Sequence, residues 1–444
     1  MLSSKTDIKN VAQERDMLSR VSPEEASHSL RGALERKLIK DEDSAAVFYD
    51  LSRMESRINE LTGLFPDDTL HAVAAKANPL TSVLKSLNLL GAGLETASLP
   101  ELYLAEEAGF APGSIVFDSP VKTIEEIKHA LNAGVHINID SWGEFERVQK
   151  LISDGASHGN IGLRVNPQVG IGDIEITSVG GTYSKFGIPI EEYYEVIVRK
   201  YLENEWLNGI HVHTGSQGCG IDLLARGIKV VYELAKDVNR RFTEMGKEPG
   251  IRIFDIGGGL PVSYSGSQKT ASMEEYRDLL RRQCPELFTS DFKLITEFGR
   301  HIHANNGWAL SRVEYIKESG GRKTLAVHLG ADMFIRKCYQ PEIWHHDITV
   351  TDARGNLKLL SPTTYAVSGP LCFAGDMIEQ EITLPEVKQG DYLIFHDVGA
   401  YTLSMWSRYN SRQIPKIIGY YSSSDEMSII KDREAPSRVW EFWS

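Results

Sequence analysis

A regular alternation of short apolar runs with longer amphipathic stretches fills the chain from about Val47 to Asn306. The apolar runs have the length of strands, and the amphipathic stretches have the period of helices. Repeated strand–helix units over roughly 250 residues are typical of an α/β fold, and they predict a (β/α)8 barrel, with a doubly wound open sheet as the alternative. In such a barrel the functional residues lie at the C-terminal ends of the strands.

The pattern changes after residue 306. Short alternating segments separated by turn residues there predict a β-rich C-terminal domain, barrel-like or sandwich-like. The residues before the alternation are polar and helix-prone, and we expect them to pack with that domain. The predicted organisation is therefore an N-terminal segment at 1–46, a barrel at 47–306 and a β domain at 307–444.

Charge and composition argue against several classes of protein. With 61 acidic and 48 basic side chains, the formal charge of −13 argues against nucleic acid or an anionic membrane as a partner. The sequence has no run of the ~18 apolar residues that a spanning helix needs. Its first residues lack the apolar core of a secretory signal, so we expect a cytoplasmic protein. The four cysteines form no paired motif, which argues against a zinc site or a disulfide framework.

Charged residues follow two of the predicted strands. Lys76 comes directly after the apolar run HAVAA and precedes Asn78-Pro79, which should end the strand. A lysine at such a position is either a surface cation or, where burial lowers its pKa, a nucleophile that forms a Schiff base. Glu297 and Arg300 follow another strand in ITEFGRH. They either pair with each other or serve a bound ligand.

Two further segments combine small and polar residues after a strand. Gly257–Gly259 would let backbone N–H groups approach an anion, or they form a tight turn, and their spacing matches neither nucleotide-binding fingerprint. His211 and His213 lie on one face of a strand in GIHVHTGSQG. They could begin a metal site, stack a ring on an aromatic cofactor or be core histidines; the sequence offers no third metal ligand at a familiar spacing.

These segments, in this order, resemble the fold-type III pyridoxal 5′-phosphate (PLP) decarboxylases, the family that contains diaminopimelate, ornithine and arginine decarboxylases. The resemblance spans most of the chain and is closest to the diaminopimelate decarboxylase branch. It implies PLP as cofactor, no metal, an amino-acid substrate and a homodimer with two composite active sites. The segments that carry it are VFYD, AAKANP, GAGLETAS, RVNP, SKFG, HVHTGSQ, DIGGGL, EFGR, GPLCFAGD and GAYTLSMWSRYNSR.

The resemblance also implies a role for each candidate residue. Lys76 would form the Schiff base with PLP, His213 would stack on its ring, and Glu297 would meet the pyridinium nitrogen. Cys372 would come from the neighbouring subunit and help protonate the substrate carbon after carbon dioxide leaves. The other cofactor residues, most of them at the phosphate, would be Ser216, Gly257, Gly258, Gly259, Phe298, Gly299, Arg300 and Tyr401. The substrate residues would be Arg300, Arg336, Tyr339, Phe373 and Tyr401.

The sequence departs from the family pattern at the substrate end. Members that act on diamino substrates carry an acidic residue directly after the cysteine, where it pairs with the distal ammonium; here that residue is Phe373. Arg336 matches an arginine that binds a distal carboxylate, but Lys337 replaces the following proline and Tyr339 comes one residue early. The usual EPGR is EFGR, with Phe298 in place of proline. These changes indicate a reshaped substrate pocket.

Four functions fit this pattern. The first is a PLP-dependent decarboxylase acting on a non-standard amino acid of a specialised pathway. The second is a meso-diaminopimelate decarboxylase that makes L-lysine. A racemase or dehydratase is a third, disfavoured by Cys372 and the β domain. The last is a PLP-binding homologue without activity, disfavoured by the retention of Lys76 and Glu297.

Overall fold

The structure is a computed structural model that describes residues 18–444; the first 17 residues of the predicted N-terminal segment lie outside the described part. The chain forms two compact units. The barrel unit comprises Ile58–Val262 and Thr270–Ile302. Of the described residues, the β unit comprises residues 18–57, Ser263–Lys269 and His303–Ser444.

The elements are numbered here in chain order. The strands are β1 Ala45–Asp50, β2 Leu70–Ala74, β3 Gly93–Thr96, β4 Ile115–Phe117, β5 His136–Ile139, β6 Ile161–Asn166, β7 Ile188–Pro189, β8 Leu207–His211, β9 Ile253–Asp255, β10 Lys293–Thr296, β11 Gly307–Arg312, β12 Tyr315–Ser319, β13 Arg322–Ala326, β14 Ile348–Thr351, β15 Thr363–Ser368, β16 Met377–Leu384, β17 Tyr392–Phe395, β18 Lys416–Tyr421 and β19 Glu426–Lys431. The helices are α1 Pro23–Glu35, α2 Leu51–Leu64, α3 Thr81–Leu89, α4 Leu99–Glu107, α5 Ile124–Ala133, α6 Trp142–Ser153, α7 Ile190–Glu203, α8 Ile221–Glu244, α9 Met273–Gln283, α10 Arg300–His303, α11 Ile335–Tyr339 and α12 Pro436–Trp443.

Eight parallel strands close into a ring in the barrel unit. Neighbours run in the order β2, β3, β4, β5, β6, β8, β9 and β10, and β10 pairs back with β2. Because both ends of the series are paired, the ring has no free edge. The predicted (β/α)8 barrel is therefore confirmed, and the doubly wound open sheet is excluded.

The helices around the ring begin and end where local chemistry requires. At α5 the Thr123 hydroxyl accepts the backbone N–H of Glu126, whose carboxylate in turn accepts the N–H of Thr123. Gly134, with φ of 75°, ends the same helix in the left-handed conformation. Because neighbouring strands of the ring are parallel, the C-terminal ends of all eight lie at one rim of the barrel, where a ligand site is expected.

The β unit is built on two sheets. The six-stranded sheet has the order β14-β17-β11-β1-β18-β19, and the four-stranded sheet has the order β12-β13-β15-β16. Strand β1 lies between β11, to which it is antiparallel, and β18, to which it is parallel. Its Phe48 ring stacks on Trp308 at 3.8 Å, and Leu30 of α1 packs in the same buried cluster. In the part of the chain that the structure describes, no helix combines the length and apolar character of a membrane span.

Candidate active site

Lys76 lies at the C-terminal end of β2, in a single 3-10 turn at Ala75–Ala77. Its Nζ contacts both carboxylate oxygens of Glu95 on β3, at 2.7 and 2.6 Å. The Glu95 side chain is fully buried, and this burial raises its pKa to about 8, although the neighbouring ammonium acts in the opposite direction. The Lys76 side chain is 43 % exposed, so its amine is oriented by a buried acid and still open to a ligand.

Three side chains from different strands form an acid–histidine–acid cluster beside this pair. His211, the last residue of β8, has Nδ1 3.4 Å from Asp118 and Nε2 3.5 Å from Glu297. Asp118 also accepts a hydrogen bond of 2.9 Å from Arg164 of β6. All four side chains are buried. The cluster therefore places two carboxylates and two basic side chains in contact, so that the charges compensate one another.

The electrostatics of this cluster keep both carboxylates ionised. Burial acts to lower the pKa of His211, but Asp118, Asp255 and Glu297 together raise it well above its ordinary value. Burial acts to raise the pKa of Glu297, yet the His211 imidazolium brings it below its ordinary value. The three residues offer ligand atoms within 4.8 Å of one another, which is a spacing that a metal ion could bridge. The contacts that the structure shows within this spacing are the ion pairs of His211 with Asp118 and Glu297.

One of the two Glu297 carboxylate oxygens lacks a hydrogen-bond partner in the described part of the chain. Glu297 follows β10 directly and directs Oε2 to His211, while its buried Oε1 has no hydrogen-bond partner among residues 18–444. A buried ionised oxygen without a donor is costly. The arrangement is therefore complementary to a ligand that carries a protonated ring nitrogen.

The glycine turn lies against the same strand end. Gly257 and Gly259 have positive φ of 63° and 102°. A Cβ on Gly258 would lie 2.3 Å from the carbonyl oxygen of Glu297, and one on Gly259 would lie 1.9 Å from that of Gly215. Only glycine fits this close approach, so the backbone itself forms the surface of the turn.

His213 and Arg300 complete the polar rim of the barrel unit. The backbone N–H of Gly258 donates to His213 Nδ1 at 3.1 Å, and burial holds the pKa of this histidine well below its ordinary value, so its ring is neutral. The Arg300 guanidinium donates to the Ser216 hydroxyl at 3.2 Å. The rim thus presents a flat neutral ring, a cation and a hydroxyl beside the glycine turn, which together suit a phosphorylated aromatic ligand.

Phe298 and Gly299 have packing roles in this structure. The Phe298 ring is buried against Phe65 and Tyr276, with centroids 6.3 and 6.0 Å apart. A Cβ on Gly299 would lie 2.8 Å from that of Ala74, at the end of the Lys76 strand. Any cofactor contact from Phe298 would therefore come from its backbone.

The remaining predicted residues lie together in the β unit. The Arg336 guanidinium lies 4.0 Å from the centre of the Trp344 ring and 5.7 Å from that of Tyr401. It also donates to the carbonyl oxygen of Ala400 at 3.4 Å. Cation–π contacts and this hydrogen bond thus fix the direction of the guanidinium.

Next to Cys372 the β unit carries an aromatic cluster, which we define as Tyr339, Phe373 and Tyr409. The Phe373 ring lies 6.1 Å from Tyr339 and 5.9 Å from Tyr409. Tyr339 and Tyr409 are exposed, as is Cys372. The loop therefore presents a thiol beside apolar rings to whatever contacts it.

Comparison with known proteins matches residues 51–304 to the family described as the pyridoxal-dependent decarboxylase, pyridoxal binding domain. The chain belongs to the pyridoxal-dependent decarboxylases. It is 30 % identical to the diaminopimelate decarboxylase of Aquifex aeolicus over 87 % of this chain and 88 % of that one. It is 34 % identical to that of Pseudomonas aeruginosa over 76 % and 78 %. The crystal structure of the Helicobacter pylori enzyme with L-lysine superposes with a TM-score of 0.80 at 26 % identity, covering 92 % of this chain and 99 % of that one.

The cofactor of this decarboxylase is PLP, and the residues of the barrel unit fit it. The Lys76 amine suits covalent attachment, the unpaired Glu297 Oε1 suits a pyridinium N–H, and the Arg300 and Ser216 pair suits a phosphate. When bound, PLP withdraws into its ring the electron pair that the departing carboxylate leaves on the substrate. The predicted enzyme class, a carboxy-lyase that depends on PLP, is confirmed by the family.

Sequence reasoning assigned no role to several residues of this site. Asp118, Arg164 and the charged state of His211 depend on neighbours that lie on distant strands. Glu95 had a visible signal, since a glutamate inside the apolar run GAGLETAS is unusual for a buried strand. That Glu95 contacts Lys76, which follows the neighbouring strand β2, is visible only in the folded barrel.

A buried histidine near this rim gives the decarboxylase a pH-dependent stability. His71 of β2 contacts the Thr296 hydroxyl at 2.9 Å, and burial lowers its pKa to about 4. In the unfolded chain His71 takes up a proton near pH 6.5, whereas in the folded chain it does so only near pH 4. The stability that depends on neutral His71 is therefore complete above pH 6.5 and is lost as the pH falls towards 4. By pH 5 the loss amounts to about 2 kcal/mol.

Urea unfolding at pH 7 and at pH 5 measures how far the free energy of unfolding falls between these two pH values. We expect this fall to be smaller for His71→Gln than for the unaltered protein. The difference between the two falls should be about 2 kcal/mol. Equal falls would mean that His71 is protonated in the folded state as well.

Proposed function

We propose that this enzyme removes the α-carboxylate of an amino acid that carries a distal carboxylate and no distal ammonium. The observation that carries the proposal is the aromatic cluster at the position where the diamino-acid branch has an acid. Phe373 follows Cys372 directly, and its ring lies between Tyr339 and Tyr409. A distal ammonium placed against these rings would lose its hydration and gain cation–π contacts in place of the stronger carboxylate partner.

The next acid along the loop does not compensate for this change. Asp376 is buried, and its two oxygens accept backbone N–H groups of Ala331 and Leu371, each at 2.6 Å. Moving it towards a substrate would leave two backbone donors unsatisfied. The loop therefore favours a substrate whose distal end lacks a positive charge at this point.

Arg336 supports the second half of the proposal. Its guanidinium is held over Trp344 and corresponds to the arginine that binds a distal carboxylate in the diaminopimelate branch. A planar guanidinium binds a carboxylate through two parallel hydrogen bonds. Arg336 would therefore supply the anchor for the distal end, and the aromatic cluster would disfavour a distal ammonium because it offers no carboxylate.

In the proposed mechanism the barrel residues hold the cofactor and the β unit supplies a proton. Lys76 would bind PLP covalently, Glu297 would accept the ring N–H, and His213 would lie flat on the ring. The glycine turn, Ser216, Arg300 and Tyr401 would surround the phosphate. Cys372 of a second subunit would give its thiol proton to the α-carbon once carbon dioxide has left, which makes the enzyme a homodimer with composite sites.

A pair of amino acids that differ in one group tests the substrate class. The enantiomers of 2-aminopimelate have the carbon chain and distal carboxylate of meso-diaminopimelate but lack its second amino group. We expect the PLP-loaded enzyme to release carbon dioxide from one enantiomer with at least about tenfold higher kcat/KM than from meso-diaminopimelate. The reverse preference, or equal rates, would contradict the proposal.

The second candidate is a meso-diaminopimelate decarboxylase that makes L-lysine. The names of the relatives favour it, since those from Aquifex aeolicus and Pseudomonas aeruginosa are diaminopimelate decarboxylases. In that case another residue must bind the distal ammonium. Strong release of carbon dioxide from meso-diaminopimelate, with lysine as product, would establish this function; release from neither compound would favour a PLP-binding homologue without activity.

Restoring an acid next to Cys372 should change the substrate preference. We expect Phe373→Glu to raise kcat/KM for meso-diaminopimelate by about tenfold or more and to lower it for 2-aminopimelate, because the new carboxylate pairs with an ammonium and repels a carboxylate. Phe373→Leu, which removes the ring without adding charge, is the matched control. If Phe373→Glu and Phe373→Leu behave alike, the charge at this position does not select the substrate.

A further inference from the structure

The backbone of Cys372 is held by two neighbouring side chains. Its N–H donates to Asn410 Oδ1 at 2.7 Å, and its carbonyl oxygen accepts the Tyr409 hydroxyl at 3.3 Å. Both backbone polar groups of this exposed residue are thus engaged by consecutive residues of the YNSR segment. A loop residue on the surface would ordinarily bond to water through these groups and remain free to move.

The base of the loop is fixed independently of this contact. Asp376 binds Leu371 and Ala331 through their backbone N–H groups. Gly330 and Gly369 allow the close approach, because a Cβ at either position would lie 2.2 or 2.4 Å from the Asp376 carboxylate. The backbone of Leu371 is therefore held in place by Asp376. The position of the next residue, Cys372, depends on the YNSR segment.

The conformation of Asn410 explains why this residue type suits the position. Its φ is 55°, in the left-handed region that glycine and asparagine tolerate best. Glycine would adopt the same backbone without strain, but it has no side-chain acceptor. Asparagine therefore satisfies the backbone and the Cys372 N–H together.

We propose that Asn410 is a positioning residue that holds Cys372 in place for proton transfer, with Tyr409 supporting it. The inference rests on the proposed role of Cys372 as proton donor. A proton donor must meet its acceptor within hydrogen-bond reach, and a displacement of about 1 Å can cost up to a hundredfold in rate. A side chain that fixes the backbone of the residue that carries the thiol controls that distance directly.

The test compares Asn410→Gly with Asn410→Asp in the PLP-loaded enzyme. Glycine keeps the backbone conformation and removes the acceptor, whereas aspartate keeps both. Amide hydrogen exchange of the Cys372 N–H should become about tenfold faster in Asn410→Gly and stay within about threefold in Asn410→Asp. Asp425→Gly is the matched control, since Asp425 is also exposed, has φ of 57° and lies in a different turn.

Turnover is then measured with whichever of 2-aminopimelate and meso-diaminopimelate reacts faster. Asn410→Gly should lower kcat by about tenfold with KM nearly unchanged, and Asn410→Asp should restore most of kcat. Unchanged hydrogen exchange or unchanged kcat in Asn410→Gly would overturn the inference.

Cys372→Ala separates this inference from the proposed function. If Cys372→Ala lowers kcat and Asn410→Gly does not, the positioning role alone is wrong. If Cys372→Ala itself retains the full kcat, the proton-donor role fails, and the positioning role fails with it.

Discussion

Lys76→Ala is expected to abolish covalent attachment of PLP and to lower kcat by at least about a thousandfold. The amine is the nucleophile that the barrel presents at the end of β2, and Glu95 holds it with both carboxylate oxygens. Alanine removes the bond to the cofactor and leaves Glu95 buried without its cation. Two measurements check this result: the visible absorbance of the PLP-loaded protein and the rate of carbon dioxide release.

Lys85→Ala is a suitable control for this experiment. Lys85 lies on α3, is exposed and follows Lys76 closely in the chain. The control should keep the normal absorbance and turnover. A Lys76→Ala protein with the same spectrum and rate as Lys85→Ala would refute the proposed role of Lys76, whatever the substrate proves to be.

Glu297→Gln should have the second largest effect, a loss of about a hundredfold to a thousandfold in kcat. Glutamine keeps the shape of the side chain but removes the negative charge that meets the ring nitrogen. The unpaired Oε1 is the observation that motivates this prediction, because it is the buried acceptor that a pyridinium N–H would satisfy. The 15N chemical shift of ring-labelled PLP should show loss of the nitrogen's proton in Glu297→Gln.

A buried acid elsewhere in the barrel distinguishes chemistry from stability. Glu144 pairs with Lys122 at 2.7 Å, and both side chains are buried. Glu144→Gln should lower the free energy of unfolding and leave the 15N shift and kcat near normal. If Glu297→Gln loses stability and keeps both kcat and the 15N shift, Glu297 is only a structural partner of His211.

The barrel was predictable because it rests on local patterns. Apolar runs of strand length alternate with amphipathic stretches, and residues such as Lys76 and Glu297 directly follow the runs. Parallel strands place such residues on one rim, so their approximate meeting follows from topology alone. The glycine turn followed in the same way, because three glycines after a strand indicate a close backbone approach.

The charge relations within the site were not predictable from the sequence. His211 is cationic because Asp118 and Glu297 contact it, and these residues lie 93 and 86 positions away in the chain. Nothing near His211 in the sequence carries that information. Strand β1 shows the same limit of sequence-based prediction. Its apolar pattern fits the strand–helix alternation of the barrel, but it pairs with β11 and β18 in the β unit. Local periodicity identifies a strand and does not identify its sheet.

The pairing of β1 also orders events during synthesis. Every strand of the barrel has been made by residue 296, so its ring can close while the rest of the chain is still being translated. Strand β1 is made before all of them, yet Ala46 pairs with Lys416. One of its edges therefore stays open until β18 has been made. A chain that terminates early, after the barrel, would leave an apolar strand with unpaired edges available to other chains, which is a route to aggregation.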